Sequence, residues 1–196
     1  MVTEFAEYGS VQDLMSSQKE REVDHITKLK FLIDCSRGIE YLHINGILHR
    51  DIKPDNFLVV SLRNDVNVNC KLTDFGSSRN VNMMMTNMTF TKGIGSPVYM
   101  APEVLNKQHY KTPADIFSFA ITMYEMFVWG AAYPKSQFKF PWKIAEFVVN
   151  GKRLPKHEKM TDDEFLLIEK SWNQNPRERV TITEVVDELE RIYYSI

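Results

Sequence analysis

The chain has 196 residues, and its length and composition are those of a folded globular protein. A chain of this length buries roughly 70% of the surface that its unfolded form exposes, so we expect one domain with a sizeable core. The hydrophobic, charged and aromatic fractions of 43%, 26% and 12% exclude a disordered, collagenous or simple membrane-spanning chain. The formal net charge of -2 gives no global electrostatic reason to expect nucleic acid or an anionic membrane as a partner.

The cysteine content and the apolar stretches bear on the cellular compartment in which the protein resides. Cys35 and Cys70 are too few and too far apart for a disulfide framework or a Cys-x-x-Cys metal site. We therefore predict that both are buried as small apolar side chains in a reducing compartment, cytosolic or nuclear. No secretory signal or transit peptide is recognisable, and the most apolar stretch, residues 114–129, is too short for a membrane span. These features favour a cytoplasmic protein without membrane insertion.

The N-terminal part is predicted to hold a short strand and two helices. Residues 1–5 have the composition of a strand, and Ser10 is placed to cap a short helix that ends near Met15. From Asp24 onwards, apolar residues recur at steps of three and four until Asn45-Gly46. This pattern predicts a helix of about five turns with a left-handed stop.

The middle of the chain is predicted to hold short strands and a long loop. Residues 47–48, 57–60 and 66–72 are β-type runs, and the last two predict a small antiparallel hairpin. Residues 76–102 show no apolar periodicity, which is typical of a functional or disordered loop. Within that loop, we interpret the Asn- and Met-rich residues 80–88 as a mobile surface segment.

Four helices are predicted in the remainder. Thr112 is expected to cap the first, which runs to Trp129 and is apolar on nearly all faces, as in a helix buried at the centre of a domain. The other three are predicted from their starts, which are Pro141, Thr161 with Glu164, and Thr181 with Glu184. The fold class is therefore mainly α with a small antiparallel β-hairpin.

Four polar residues in the turns between the short strands carry the chemical signal. Asp51 and Asn56 follow the first β-run, and Asp74 follows the hairpin. Strand ends would bring these side chains to one edge, where such oxygen ligands suit a hard cation such as Mg²⁺. Lys53 adds a positive charge. An acid, oxygen ligands and a lysine together match the requirements of phosphoryl transfer.

The motifs around these residues resemble those of the eukaryotic protein kinases. In chain order, they are His49-Arg50-Asp51 with Asn56, Asp74-Phe75-Gly76, Met100-Ala101-Pro102-Glu103, Asp115 before Ile116-Phe117-Ser118, and Trp172 with Asn175-Pro176 and Arg179. Each motif alone is weak, but an ordered set is specific. The resemblance implies the large (C-terminal) lobe of the protein kinase fold and a protein substrate.

The resemblance also implies a role for each of the four polar residues. Asp51 would be the catalytic base that accepts or orients the substrate hydroxyl proton, and Lys53 would contact the γ-phosphate of ATP. Asn56 and Asp74 would hold Mg²⁺ and, through it, the cofactor. The alternative is that Asp51, Asn56 and Asp74 are ordinary turn-forming residues, which the ordered set of motifs disfavours.

Three further positions would bind the adenine of ATP by the same resemblance. Residues 3–6 resemble the gatekeeper and hinge, so the Glu4 carbonyl and the Ala6 amide would meet the adenine edge. Leu58 would pack beneath the ring.

Sequence details around the motifs bear on regulation and on the substrate hydroxyl. Arg50 resembles the basic residue that receives a phosphorylated activation loop, and the candidate acceptors are Thr86, Thr89 and Thr91. Lys53, two places after Asp51, and Ser96 resemble serine/threonine kinases rather than tyrosine kinases. The hinge and the Gly95-to-Met100 run look most like the tyrosine-kinase-like group, whose members mostly modify serine and threonine.

Several motif residues are predicted to be structural. His49 is expected to link packing to backbone, and Asp115 to cap amides of the catalytic loop. Glu103 and Arg179 are expected to form a buried ion pair that is costly to break on one side.

The resemblance covers the whole chain but not the whole kinase domain. Residues 1–9 would be the last small-lobe strand and the hinge, residues 10–196 the C-terminal lobe, and residues 74–103 the activation segment. The family's glycine-rich phosphate loop and strand lysine are not found in the sequence, and Gly93-Ile94-Gly95 belongs to the activation segment. We therefore expect these residues alone, without the N-terminal lobe as partner, to be at least about 10⁴-fold impaired in transfer.

Two other classes of function remain open. A non-catalytic interaction module is the closer alternative, since a lobe without its partner would expose an apolar cleft and the strand edge of residues 1–5, through which it could self-associate. A small-molecule phosphotransferase could share the Asp51, Asn56 and Asp74 arrangement, but Glu103, Asp115 and Arg179 argue against it.

Overall fold

A computed structural model describes residues 5–17, 23–80, 96–108 and 111–196 of the chain. The helices are α1 (Val11–Ser16), α2 (His25–Ile44), α3 (Pro102–Leu105), α4 (Pro113–Val128), α5 (Pro141–Val149), α6 (Asp162–Ser171) and α7 (Ile182–Tyr194). The strands are β1 (Ile47–Leu48), β2 (Phe57–Val59), β3 (Cys70–Leu72) and β4 (Arg79–Asn80). The predicted fold class, mainly α with a small antiparallel hairpin, is confirmed.

Some predictions concern residues outside the described ranges. These are most of the strand at residues 1–5, the hinge residue Glu4, nearly all of the Asn- and Met-rich segment, and the candidate phosphorylation sites Thr86, Thr89 and Thr91.

Three of the four predicted capping residues form the caps of their helices. Ser10, Thr161 and Thr181 each accept the backbone N–H of the third helical residue, and the acid at that position binds back to the cap. The prediction that Thr112 caps α4 is wrong, because its hydroxyl makes no capping hydrogen bond. Its backbone is already helical (φ -46°, ψ -34°), whereas a capping side chain needs an extended backbone to reach the first turn.

Two glycines determine where the long helix α2 ends and how closely it packs against the sheet. Gly46, at φ 67°, follows the C-cap Asn45 and takes the left-handed conformation that other residues adopt at a cost. Gly38 lies on the face of α2 that contacts β3, where a Cβ atom would be 3.3 Å from that of Leu72. The helix therefore lies close against the sheet.

The strands form two separate antiparallel pairs. β2 pairs with β3, with Phe57 opposite Leu72 and Val59 opposite Cys70, as the predicted hairpin requires. The prediction of a strand over residues 66–72 is too long, because residues 66–69 are irregular, with bends, and the strand begins at Cys70. β1 pairs with β4, a partner that the sequence did not indicate.

The core is built around α4, as predicted for a helix that is apolar on nearly all faces. Its side chains from Ala114 to Phe127 are buried except Ser118. α6 packs against α4, and α7 packs against α2. Cys35 and Cys70 are free and buried as predicted, and their sulfurs lie 3.4 Å apart. In the described part of the chain, no helix is both long enough and apolar enough to cross a bilayer.

Candidate active site

Asp51, Lys53 and Asn56 contact one another in the loop between β1 and β2. Lys53 Nζ donates to Asp51 Oδ2 at 2.8 Å. Asn56 Nδ2 donates to the Asp51 backbone carbonyl at 2.6 Å and to Asp51 Oδ2 at 3.1 Å. Both side-chain donors use Oδ2, and no described residue donates to Oδ1 of Asp51. That oxygen is therefore available to accept a proton or a hydrogen bond from a substrate.

The start of this loop is held by Asp115, the third residue of α4. Its buried carboxylate accepts the backbone N–H of His49 at 2.8 Å and that of Arg50 at 2.9 Å. The predicted capping role of Asp115 is thus confirmed. Arg50 has φ 74°, a strained value for a residue with a side chain, and these two charge-assisted hydrogen bonds offset the cost. The central helix thereby fixes the direction in which the chain enters Asp51.

The main chain of Thr73, the residue before Asp74, is bound to the loop that contains Asp51 and Asn56. The imidazole of buried His49 contacts the Thr73 carbonyl oxygen through Nε2 at 2.9 Å, and its Nδ1 accepts the backbone N–H of Asp51 at 3.3 Å. Thr73 N donates to the Asn56 carbonyl at 3.0 Å. His49 is structural, as predicted, because both ring nitrogens bind backbone. Thr73 had no signal in the sequence, since only its main chain takes part.

The oxygen atoms of Asn56 and Asp74 suit a divalent cation. Both hydrogen bonds of the Asn56 amide use Nδ2, and Asp74 Oδ1 accepts Gly76 N at 3.3 Å. Among the described residues, no hydrogen bond occupies Asn56 Oδ1 or Asp74 Oδ2. A carboxylate and an amide oxygen fit the preference of Mg²⁺, which commonly takes one or two protein ligands together with substrate phosphates. The described ranges contain no cluster of three or more His, Cys, Asp or Glu that could hold a metal by itself.

Of the predicted adenine-binding residues, Leu58 lies in β2, and Ala6 begins a turn that ends against this strand. Ser10 forms an antiparallel bridge with Leu58, and Val59 N donates to the Gly9 carbonyl at 2.9 Å. These contacts place the turn from Ala6 to Gly9 against the strand. Leu58 is half-buried, and Ala6 N makes no backbone hydrogen bond within the described residues. The third predicted residue, Glu4, lies outside the described ranges.

The Arg50 guanidinium has donors without a hydrogen-bond partner among the described residues. Its Nε and Nη1 atoms are buried and have no hydrogen-bond partner among the described residues. Buried guanidinium donors without partners are costly, so this group is suited to an anion.

A hydrogen bond that the sequence did not indicate joins the end of the long loop to α4. The Tyr99 hydroxyl donates to Glu125 Oε2 at 2.7 Å, and Glu125 Oε1 accepts Ala132 N at 3.0 Å. Burial raises the pKa of the Glu125 carboxyl, and burial together with the charge of Glu125 raises the pKa of the Tyr99 phenol. Ser118 Oγ donates to the Tyr99 carbonyl at 2.7 Å. The segment before α3 is therefore fixed to the central helix at two points.

The predicted ion pair between Glu103 and Arg179 is confirmed. The guanidinium donates to both carboxylate oxygens at 2.7 Å, and both residues are buried. It also donates to the carbonyls of Asn173 and Pro113 at 2.8 Å. This network joins α3, α4 and the segment before α7.

The fold is that of a protein kinase, in which this architecture is the large, C-terminal lobe. Residues 1–189 match the family model described as protein tyrosine and serine/threonine kinase. The chain therefore belongs to the protein kinase family. Its assignment to the tyrosine-kinase-like group stays a prediction.

The curated relatives include serine/threonine kinases from distant organisms. The chain is 32% identical, over 98% of its length, to the probable serine/threonine-protein kinase gdt9 of Dictyostelium discoideum, and 33% identical, over 98%, to the serine/threonine-protein kinase STY17 of Arabidopsis thaliana. It is 34% identical, over 96%, to the putative serine/threonine-protein kinase/receptor R831 of Acanthamoeba polyphaga mimivirus. The chain spans 14%, 32% and 11% of these three proteins.

Proposed function

We propose that the protein to which this chain belongs transfers the γ-phosphoryl group of ATP to serine or threonine hydroxyls of protein substrates. The observation that carries this proposal is the direct contact of Asp51 with Lys53 and Asn56. The Asn56 carbonyl in turn accepts the backbone N–H of Thr73, the residue before Asp74. Serine/threonine kinases among its relatives support the hydroxyl class. Lys53 two positions after Asp51, and Ser96 before Tyr99, support it as well.

The chain's own residues position the substrate hydroxyl and the phosphate. Asp51 would accept or orient the hydroxyl proton through Oδ1, while Lys53 and Asn56 hold Oδ2 and so fix the direction of the carboxylate. The Lys53 ammonium lies at hydrogen-bond distance from Asp51, where it would bind the transferred phosphate and offset its negative charge.

The metal and nucleotide would be held by the residues whose atoms remain available. Asn56 Oδ1 and Asp74 Oδ2 are the oxygens that would hold Mg²⁺, which supplies neutralisation of phosphate charge when bound. The Ala6 amide and the Leu58 side chain would receive the adenine. The orphaned donors of Arg50 suit a phosphorylated Thr86, Thr89 or Thr91.

The test is Asp51→Asn in the full-length protein that carries this chain. The asparagine amide can keep the contacts with Lys53 and Asn56 but cannot take a proton, so we expect phosphorylation of a protein substrate to fall by about 10²–10⁴-fold. Circular dichroism should show unchanged folding. Asp55→Asn is the matched control, because Asp55 is an exposed acid of the same loop. Full activity of Asp51→Asn would overturn the proposal and favour a non-catalytic role.

Residues 1–196 should be assayed beside the full-length protein. We propose that they transfer phosphate weakly or not at all, since their sequence contains neither the glycine-rich loop nor the strand lysine of the family. Robust phosphorylation of a generic substrate by these residues alone would refute this part of the proposal.

A further inference from the structure

An exposed aromatic pair stands at the start of α5. The rings of Phe140 and Trp142 are stacked at 4.2 Å with an interplanar angle of 6°. They are 41% and 60% exposed, although each is large and apolar. We call these two side chains the aromatic platform.

The aromatic platform rests on a packed base. Phe138 points inward and makes edge-to-face contacts with Tyr133 at 5.1 Å and with Phe147 at 5.2 Å. Its backbone N–H donates to the Pro134 carbonyl at 2.9 Å. Because Phe138 anchors the loop inside, the exposure of Phe140 and Trp142 is a property of an ordered segment. Little ordering entropy would then be lost when a partner binds.

The surroundings of the aromatic platform are positively charged. Lys135, Lys139 and Lys143 are all exposed, and Lys139 Nζ lies 5.7 Å from the centroid of the Phe140 ring. Glu146 is the neighbouring acid, and it is bound by Lys143 at 2.8 Å. Lys135 and Lys139 therefore remain to attract an anionic partner.

We propose that the aromatic platform and its lysines form a docking surface for an acidic segment of a partner protein that carries an apolar anchor side chain. Exposed aromatic side chains, Trp above all, are the residues that most often dominate protein–protein binding energy. The lysines select the sign of the partner's charge. α5, the helix that begins with the aromatic platform, packs against α3, which follows the Tyr99 segment.

The geometry favours a protein segment over nucleic acid or a membrane. Stacking of Phe140 on Trp142 covers one face of each ring, and Lys139 lies over the Phe140 ring. Few ring faces are therefore open for the stacking of nucleic-acid bases. A helix that lies in a membrane surface needs a continuous exposed apolar face, whereas Ile144 and Val148 of α5 are buried in the core.

The protein contains a natural probe for this surface. Trp142 is 60% exposed, whereas Trp129 and Trp172 are 5% and 3% exposed, so changes in accessible tryptophan fluorescence report on Trp142. We would titrate the purified protein with a short peptide of Asp and Glu around a central Leu-Phe pair. The two comparison peptides carry Lys in place of every acid, or Gly in place of Leu-Phe. Only the first peptide should shift Trp142 emission to the blue and protect it from acrylamide, and salt should weaken that binding.

Variants separate the two parts of the surface. Phe140→Ala keeps the probe and should weaken binding of the first peptide by about 30-fold, as expected for a central aromatic contact. Lys135→Glu combined with Lys139→Glu should weaken it by about tenfold. The matched controls are Tyr194→Ala, an exposed member of another aromatic pair, and Lys111→Glu, an exposed lysine in the segment before α4. Both should bind like the unaltered protein.

Four results would overturn the proposal. They are no response to the acidic Leu-Phe peptide, an equal response to the lysine peptide, tighter binding of single-stranded oligonucleotide or of phosphatidylserine vesicles, and a blue shift that follows protein concentration alone. The last would identify a second copy of the chain as the occupant. Because binding is measured directly, these outcomes do not depend on phosphoryl transfer.

Discussion

Single residues of the candidate site owe their positions to contacts from far along the chain. Asp115 holds the amides of His49 and Arg50, and Thr73 binds His49 and Asn56 through its main chain. Each of these hydrogen bonds involves a backbone group and also satisfies a buried polar group. The bonds that position the site residues therefore also stabilise the fold. Among the described residues, no hydrogen bond occupies Asp51 Oδ1, Asn56 Oδ1 or Asp74 Oδ2.

The buried ion pair offers a test of energetics at the level of one residue. Glu103→Gln removes the charge that balances the buried Arg179, and we expect the free energy of unfolding to fall by about 3–5 kcal/mol. Urea unfolding measures the change. Glu190→Gln is the matched control, since Glu190 forms an exposed pair with Arg37 at 2.8 Å. Its loss should cost about 1 kcal/mol at most. Equal costs for the two variants would show that burial does not set the strength of the pair.

The roles of these residues were predicted unevenly by the sequence. The ordered motifs indicated Asp51, Lys53, Asn56 and Asp74, and the structure places the first three in direct contact. Thr73 and the bond from Tyr99 to Glu125 were missed. A backbone group has no residue-type signature, and a side-chain pair that is distant in sequence has no periodicity, so neither can be read from one chain.

At the level of elements, helices were predicted better than strands. Helix starts at Ser10, Thr161 and Thr181 follow from a local capping pattern, and α2 follows from its apolar steps and its glycine stop. β4 and α3 are short and are held by partners from elsewhere, namely β1 and α5. Local sequence therefore carries little information about them.

The contrast between Thr161 and Thr112 tests the capping argument. Thr161 accepts Glu164 N through its hydroxyl, and Glu164 Oε2 accepts Thr161 N at 2.8 Å, whereas the Thr112 side chain makes no such bond. Thr161→Ala should therefore lower the free energy of unfolding by about 1 kcal/mol. Thr112→Ala should have a much smaller effect. Thermal unfolding of both variants measures the difference, and a larger loss for Thr112→Ala would contradict the assigned caps.

Across the whole molecule, one core connects the N-terminal and C-terminal helices. α7, the last helix, packs against α2, the long helix near the start, and α4 lies between α2 and α6. The same core cluster contains Cys35 on α2 and Cys70 on β3. Helix, sheet and closing helix thus share one apolar interior, which is the condition for cooperative unfolding.

The two thiols can report on that cooperativity. Cys35 and Cys70 are both buried, and burial raises the pKa of Cys35, so little thiolate is available to a thiol reagent in the folded protein. If the core opens only as a unit, both should be labelled at one common rate, at least about a thousandfold slower than in urea-unfolded protein. Mass spectrometry of each cysteine after timed labelling measures this, with Cys35→Ser and Cys70→Ser used to follow each thiol alone. Fast labelling of Cys70 with Cys35 still protected would show that β3 separates from α2 before the helical core unfolds.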